Sequence, residues 1–280
     1  GGGRDQHFPV DQSRYGIGQR GRCFSDANAL VIDASTLFPA GTTLYSNIKH
    51  LSQPNSINNI ALDQAIILAA SLAIKSGSVL SNMFRDMIND KEEILAKIDN
   101  CVYEDNMGVL GWFGNKRMIM GNREQMKHHD IKIPDMKKVR KYTNENTDTL
   151  YLAVGGEIII MFFVQLIANK EIKEKLKRLQ QKGVALVVKT TDSIVTVSKL
   201  AEIFELDPEM IKILPYSMHE QYNVVTRYVS RGNGALSCSG TFTSLSSAIL
   251  AAKGIVKDVG LGCGIMLGGA ILGGICAAAL

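Results

Sequence analysis

Short apolar strands alternate with amphipathic helices in the second half of the chain, and this alternation constrains the fold more than any other feature. The segments VALVVKTTD, VSKLAEIFELD and MIKILP follow the pattern strand, helix, strand. Before them, NKEIKEKLKRLQQKG ends at Gly183 and puts three apolar side chains on one helical face: Ile172, Leu176 and Leu179. The preceding LYLAVGGEIIIMFFVQLI predicts two strands around a Gly-Gly turn. The succession is typical of a doubly wound α/β domain.

A further strand of the same type, ALVID, lies far upstream at residues 29–33. Parallel strands are buried on both faces and therefore have continuous apolar sequences, as ALVID does. Between the two regions, LDQAIILAASLAIKSGSVLSNMFRDMI has helical periodicity broken at residues 76–78, and WFGNKRMIM predicts a hairpin turning at Gly114 and Asn115. An α+β lobe inserted into the α/β domain is therefore predicted. The prediction places coil at residues 1–21, the α/β domain at 22–45 and 143–256, and the insertion at 46–142.

Two polar residues follow strands of the predicted parallel sheet. Asp33 ends ALVID, and Thr190 follows VALVVK. Because the carboxyl ends of parallel strands meet at one edge, where ligands bind in such folds, these residues are expected to lie together. Taken alone, Asp33 is more simply a strand-end residue that caps the next turn, and Thr190 a turn residue.

The order of several motifs resembles the cytosolic core of P-type cation-transporting ATPases, in particular the heavy-metal branch. The family's Asp-Lys-Thr-Gly-Thr signature corresponds to residues 33–37, DASTL, and its Thr-Gly-Asp corresponds to residues 190–192, TTD. Its glycine-rich hairpin corresponds to NMGVLGWFGNKRMIMGNRE, the most specific match in the chain. The resemblance implies a haloacid-dehalogenase-like phosphorylation domain with an inserted nucleotide-binding-like domain.

The same resemblance implies roles for individual residues. Three positions correspond to the catalytic site: Asp33, Ser35 and Thr190, with Asp33 also a weak metal ligand. The positions that would bind nucleotide are Gly108, Gly111, Gly121 and Asn122. Hairpin geometry alone also accounts for the glycines. ATP and Mg²⁺ are the implied cofactors.

At other positions the residues that the family uses for catalysis and nucleotide binding are replaced. The adenine-contacting histidine is absent from residues 76–79, the catalytic lysine falls on Met218, and the magnesium-binding acid falls on Cys238 or Ser239. Phosphoryl transfer depends on Mg²⁺ and cationic groups that neutralise the transferred charge. The sequence therefore predicts a degenerate relative that is weakly active or inactive.

Three functions stay open at this point. The chain is either the core of a transport ATPase, a pseudoenzyme acting as a membrane-associated nucleotide-sensing or interaction module, or a soluble haloacid-dehalogenase-like phosphatase. The phosphatase is the weakest of these, since it needs the same missing lysine and acid. The net charge of +4 is small, and aromatic residues are not interleaved with basic ones, which argues against nucleic-acid binding.

The last part of the chain, residues 259–280, contains no charged residue. As a helix it would span roughly 33 Å, about the thickness of a bilayer core. Its glycines at residues 260, 264 and 268 have the spacing that allows close packing of membrane helices. Residues 257–280 are therefore predicted to form a transmembrane helix, with the main body in the cytosol; the alternative is a buried Gly/Ala-rich helix of a soluble domain.

His128 and His129 are adjacent in the sequence, and histidine is a common metal ligand. Neighbouring side chains on a helix or strand point in different directions, unlike an i, i+4 pair. The sequence therefore favours a solvated turn here over a chelating pair.

Overall fold

The computed structural model describes residues 27–51, 59–220, 264–267 and 270–272. In chain order the strands are β1 Ala27–Asp33, β2 Thr43–His50, β3 Asp99–Glu104, β4 Gly108–Phe113, β5 Lys116–Gly121, β6 Asp148–Val154, β7 Glu157–Leu166, β8 Ala185–Lys189, β9 Ile211–Ile213, β10 Gly264–Leu267 and β11 Ala270–Leu272. The helices are α1 Leu62–Ser76, α2 Ser81–Met87, α3 Arg123–His128, α4 Met136–Val139, α5 Lys170–Gln181 and α6 Val197–Phe204.

The first sheet has five strands in the order β11-β10-β1-β8-β9. Strand β1 is central and runs parallel to both β8 and β10, while β8 runs parallel to β9. Helix α5 covers this sheet through the three side chains predicted from its periodicity, and all three are buried: Ile172, Leu176 and Leu179. The predicted α/β character is confirmed.

The second sheet has six antiparallel strands in the order β2-β7-β6-β5-β4-β3. The chain leaves the first sheet after β1, builds this second sheet with helices α1 to α4, and returns with β8. The predicted break between two helices is confirmed, because α1 ends at Gly77, whose φ of 71° is left-handed. The β4–β5 hairpin turns at Gly114 and Asn115 as predicted.

Strands β6 and β7 belong to the antiparallel sheet, whereas the sequence pattern assigned them to the doubly wound domain. The reason is that both faces of these strands are covered. On β6, Leu152 faces the main core with α1 and α2, while Tyr151 faces a second core that includes Met126 of α3 and Val139 of α4. A two-sided antiparallel strand is as continuously apolar as a parallel one, so the sequence pattern could not separate them.

The C-terminal segment differs from its predicted helix wherever it is described. Strand β10 pairs with β1, and β11 pairs antiparallel with β10. A helix is therefore wrong for these two stretches, because glycine disfavours helices and a short apolar run also suits a buried strand. Among the helices of the described ranges, none combines the length and apolar character that crossing a bilayer requires. The remainder of residues 257–280 lies outside the described part of the chain.

Candidate functional site

The carboxylate of Asp33 lies at the carboxyl end of β1 and is half-buried. Its Oδ1 accepts hydrogen bonds from the Ser35 backbone N–H at 3.3 Å and from the Ser35 hydroxyl at 3.1 Å. Through these contacts Asp33 caps a short 3₁₀ turn at Ala34–Thr36. Asp33 therefore caps a turn, which is the simpler of the two roles that the sequence suggested for it.

A lysine that the sequence analysis did not single out lies beside Asp33. The parallel register pairs Asp33 of β1 with Lys189 of β8, and the Lys189 ammonium lies 3.4 Å from Asp33 Oδ2. The family lysine was expected at Met218, whose side chain is outside the described part of the structure. The only available signal was that Lys189 is the last residue of an apolar strand, which places it at the same sheet edge as Asp33.

Thr190 and Asp192 follow β8 directly, so Thr190 lies next to the Asp33 edge as predicted. The buried Thr190 hydroxyl accepts a hydrogen bond from the Asp192 backbone N–H at 3.0 Å. Asp192 Oδ2 accepts a bond from the Val79 backbone N–H at 2.9 Å, and Asp192 Oδ1 accepts one from the Ser78 hydroxyl. We call this contact between Asp192 and the α1–α2 connection the Asp192 clasp. It fixes the inserted lobe to the edge of the parallel sheet.

Two further contacts support the Asp192 clasp. The Thr191 hydroxyl donates to the Ser76 carbonyl at 3.1 Å. Past β9, the Tyr216 backbone N–H donates to Asp105 of the lobe at 3.0 Å, and His219 stacks on Tyr103 with ring centroids 5.6 Å apart. The Asp192 clasp is therefore not the lobe's sole attachment to the α/β domain among the described residues.

Burial raises the pKa of Asp192 from 3.8 to about 6, and the negative charge of Asp33 acts in the same direction. The hydrogen bonds from Ser78, Val79 and Thr190 oppose this rise without cancelling it. The clasp therefore contains a carboxyl group that is partly protonated near pH 6.

We expect this carboxyl group to make the protein less stable as the pH rises from about 4 to 6. Over that range the folded chain binds more protons than the unfolded chain, so the free energy of unfolding falls, by about 2 kcal/mol in total. Asp192→Asn keeps the shape of the protonated acid and should remove this contribution. The measurement is urea unfolding of both proteins from pH 4 to 7, and parallel stability profiles would contradict the assignment.

The hairpin glycines are explained by close packing inside the lobe. A Cβ atom on Gly108 would lie 2.6 Å from the Gly121 Cα, and one on Gly111 would lie 2.6 Å from Ile98 Cγ2. Asn122 caps α3 by accepting a hydrogen bond from the Gln125 backbone N–H at 3.0 Å. These four positions have structural roles that require no nucleotide.

A small cavity lies between the hairpin and the Asp192 clasp. It is lined by residues that include Ser78, Gly108, Met120, Asp192 and Ser193, and its volume is about 10 Å³. The buried Ser193 hydroxyl has no hydrogen-bond partner among the described residues. The space suits a single water molecule. This cavity is too small for a nucleotide.

Two curated transporters share sequence with the chain. It is 23% identical over 189 residues to a copper-exporting P-type ATPase of Legionella pneumophila, which covers 67% of this chain and 25% of that protein. It is 27% identical over 158 residues to a silver-exporting P-type ATPase of Salmonella typhimurium, which covers 56% of this chain and 18% of that protein. The chain resembles the cytosolic region of heavy-metal P-type ATPases. It spans about a quarter or less of the length of these relatives.

Solved structures of the same class are also similar. A catalytic domain of the CPx-ATPase CopB-B has a TM-score of 0.42 and 12% identity, over 77% of this chain and 72% of that chain. A zinc-transporting PIB-type ATPase has a TM-score of 0.37 and 13% identity, over 84% of this chain and 41% of that chain. No family model matches the sequence.

Among the described residues, the carboxylates considered for Mg²⁺ are those that follow β1 and β8 at the edge of the parallel sheet. The β10 strand ends at Leu267, which pairs with Val31, and is followed in sequence by Gly268 and Gly269, which carry no carboxylate. Cys238 and Ser239, the positions first matched to the magnesium-binding acid, lie outside the described residues. At the ends of β1 and β8 the acids are Asp33 and Asp192, and both carboxylates hold hydrogen bonds within the chain. These residues do not form a free Mg²⁺ site in this arrangement.

Proposed function

We propose that this chain is a degenerate P-type ATPase core, a pseudoenzyme that keeps the two-lobed architecture as a membrane-associated interaction module. One observation carries the proposal: the carboxylates of Asp33 and Asp192, at the edge of the parallel sheet, already contact other groups of the chain. Asp33 is held by Ser35 and Lys189, while Asp192 is held by the α1–α2 connection. Asp33 and Asp192 would have to release these partners before they could act as nucleophile and metal ligand.

The chemistry of phosphoryl transfer supports this proposal. A transferred phosphoryl group needs a free carboxylate oxygen in line with the leaving group and Mg²⁺ to neutralise its charge. Mg²⁺ is commonly held by one or two carboxylates together with substrate phosphates. Here the Asp192 clasp would have to open before a metal could approach, at the cost of the hydrogen bonds from Ser78 and Val79.

An active transport core is the second candidate, and Lys189 is the observation that favours it. An ammonium group 3.4 Å from Asp33 Oδ2 lies where a cation would stabilise an incoming phosphate. In that case Lys189 replaces the family lysine that the sequence lacks at Met218. The soluble phosphatase has no comparable support, since it needs the same free acids.

Nucleotide titration separates the two leading candidates. For the pseudoenzyme, we expect no saturable binding of Mg²⁺–ATP below about 1 mM by calorimetry, because the lobe is closed on the sheet edge. Micromolar binding that is strengthened by Ser78→Ala, which weakens the Asp192 clasp, would favour the active core. Val79 stays bonded to Asp192 through its backbone in that variant, so the fold is expected to survive.

The Asp33–Lys189 pair is expected to make a modest contribution to stability. Both groups are partly exposed, with 34% of the Asp33 side chain and 19% of the Lys189 side chain accessible, so the coupling free energy should be about 0.5–1 kcal/mol. The measurement is a double-mutant cycle of Asp33→Asn and Lys189→Met in urea unfolding. Additive effects of the two changes would show that the pair does not hold in solution.

A further inference from the structure

Three side chains of metal-binding type meet on the inserted lobe: Glu104, His128 and His129. One ligand atom from each lies within 4.8 Å of the others. None of them takes part in the Asp33 edge or in the Asp192 clasp. The sequence pattern favoured a solvated turn over a chelating pair. His129 does lie in a turn and His128 is exposed, but His129 is largely covered and both rings approach Glu104.

The distances show that one carboxylate serves both rings. His129 Nε2 lies 2.8 Å from Glu104 Oε1, and His128 Nε2 lies 3.7 Å from Glu104 Oε2. The two imidazole rings are 5.0 Å apart between centroids and nearly perpendicular, at 81°. The two Nε2 atoms therefore lie near different oxygens of the same carboxylate, and the one on His129 is within hydrogen-bond distance.

The fold explains how adjacent histidines converge. His128 is the last residue of α3, and His129 is the cap that follows it, with φ −99° and ψ 15°, so the two residues do not share helical geometry. Glu104 is the last residue of β3 and projects from the neighbouring end of the sheet. The three side chains meet because β3 and α3 end close together in space, and a local sequence pattern does not show this.

A buried amide holds the carboxylate in position. Gln125 Nε2 donates to Glu104 Oε1 at 2.9 Å and also contacts the Val109 carbonyl at 3.3 Å, and Gln125 is fully buried. Partners of this kind, one step away from a metal, orient ligands and raise metal affinity. Glu104 and His129 are themselves largely covered, with 16% and 15% of their side chains accessible, while His128 is 59% accessible. The cluster is thus pre-arranged on one side and open to solvent on the other.

We propose that Glu104, His128 and His129 form a binding site for a divalent transition-metal cation of the zinc type. Two imidazole nitrogens and one carboxylate oxygen are a donor set that zinc uses, with a water molecule in the remaining position. Zinc bonds of about 2.0–2.1 Å in tetrahedral geometry put ligand atoms roughly 3.3 Å apart. The two spacings from histidine to carboxylate, 2.8 and 3.7 Å, lie on either side of that value, and the three ligand atoms lie within 4.8 Å of one another. Side-chain rotations can therefore bring them to one cation. The cation takes the place of the hydrogen bond between Glu104 and His129, with His129 Nε2 in its unprotonated tautomer.

The test is titration of the full chain with Zn²⁺ by calorimetry and with Co²⁺ by absorption spectroscopy, under reducing conditions. We expect one cation per chain, with Co²⁺ d–d bands of a tetrahedral nitrogen and oxygen site. Glu104→Gln and His129→Asn should each weaken binding at least tenfold. The matched control is Glu124→Gln, an acid-to-amide change on α3, the helix that carries His128. Among the described contacts, the Glu124 side chain pairs only with Lys127 at the surface.

Two results would overturn the proposal. One is binding that is equally strong in the wild type, Glu104→Gln and His129→Asn proteins. The other is a Co²⁺ spectrum dominated by thiolate charge transfer, which would assign the cation to cysteines. To separate lost binding from lost folding, thermal unfolding is measured with and without Zn²⁺: a variant that unfolds cooperatively but gains no stability from Zn²⁺ supports the site.

Discussion

No stable phosphoryl label is expected on Asp33 when the chain is incubated with Mg²⁺ and γ-labelled ATP and then quenched with acid. One Asp33 oxygen is bonded to Ser35 and the other faces Lys189, while Asp192 is bonded to the inserted lobe. The loss of one catalytic group commonly costs about 10²–10³ in rate. Asp192 held in the clasp, together with Met218 at the position matched to the family lysine, should therefore lower the rate by about 10⁴ or more.

The labelling experiment has a clear opposite outcome. A hydroxylamine-sensitive label that disappears in Asp33→Asn would show that Asp33 is a working nucleophile and would make the transport core the first choice. If that label also disappeared in Lys189→Met while Mg²⁺–ATP binding persisted, Lys189 would be assigned the role of the missing family lysine. Lys177→Met is a suitable control, since Lys177 pairs at the surface with Glu205 at 2.8 Å and neither residue takes part in the Asp33 edge or the Asp192 clasp.

Gly121→Ala is expected to destabilise the inserted lobe by about 3 kcal/mol or more. A Cβ at this position would overlap the Met107 carbonyl and the Gln125 side-chain oxygen, and the first of these is backbone that cannot rotate away. Overpacking in a well-packed interior typically costs about 1–3 kcal/mol, and displacing backbone adds to that. The β4–β5 hairpin pairs Gly121 with Gly108, so the strain should spread to both strands.

The matched control for that change is Gly114→Asn at the tip of the same hairpin. Gly114 has φ of 59°, and a Cβ there meets nothing within 4 Å. Asparagine tolerates left-handed backbone better than other side chains, so this variant should stay within about 1 kcal/mol of the wild type. Urea unfolding followed by circular dichroism measures both variants. Equal stability of Gly121→Ala and Gly114→Asn would show that the close packing at Gly121 does not exist in solution.

The sequence by itself determined the elements that depend on local patterns. The buried face of α5, the helix end at Gly77, and the turn at Gly114 all follow from side-chain periodicity and from the backbone freedom of glycine. The position of Asp33 at a strand end, next to the β8 edge, followed from the rule that parallel strands share their carboxyl edge. These features need only residues that are close together in the sequence, or a general rule of sheet topology.

Only the tertiary structure decided which elements pair and which side chains meet. Strands β6 and β7 were assigned to the doubly wound domain because packing covers both of their faces and makes them continuously apolar. Strand β10 was assigned to a helix because a short apolar run fits either element. Lys189 reaches Asp33 through strand register. Glu104 and His129 meet because one strand and one helix end side by side. Such contacts depend on free energies summed over residues far apart in the sequence, which local patterns do not contain.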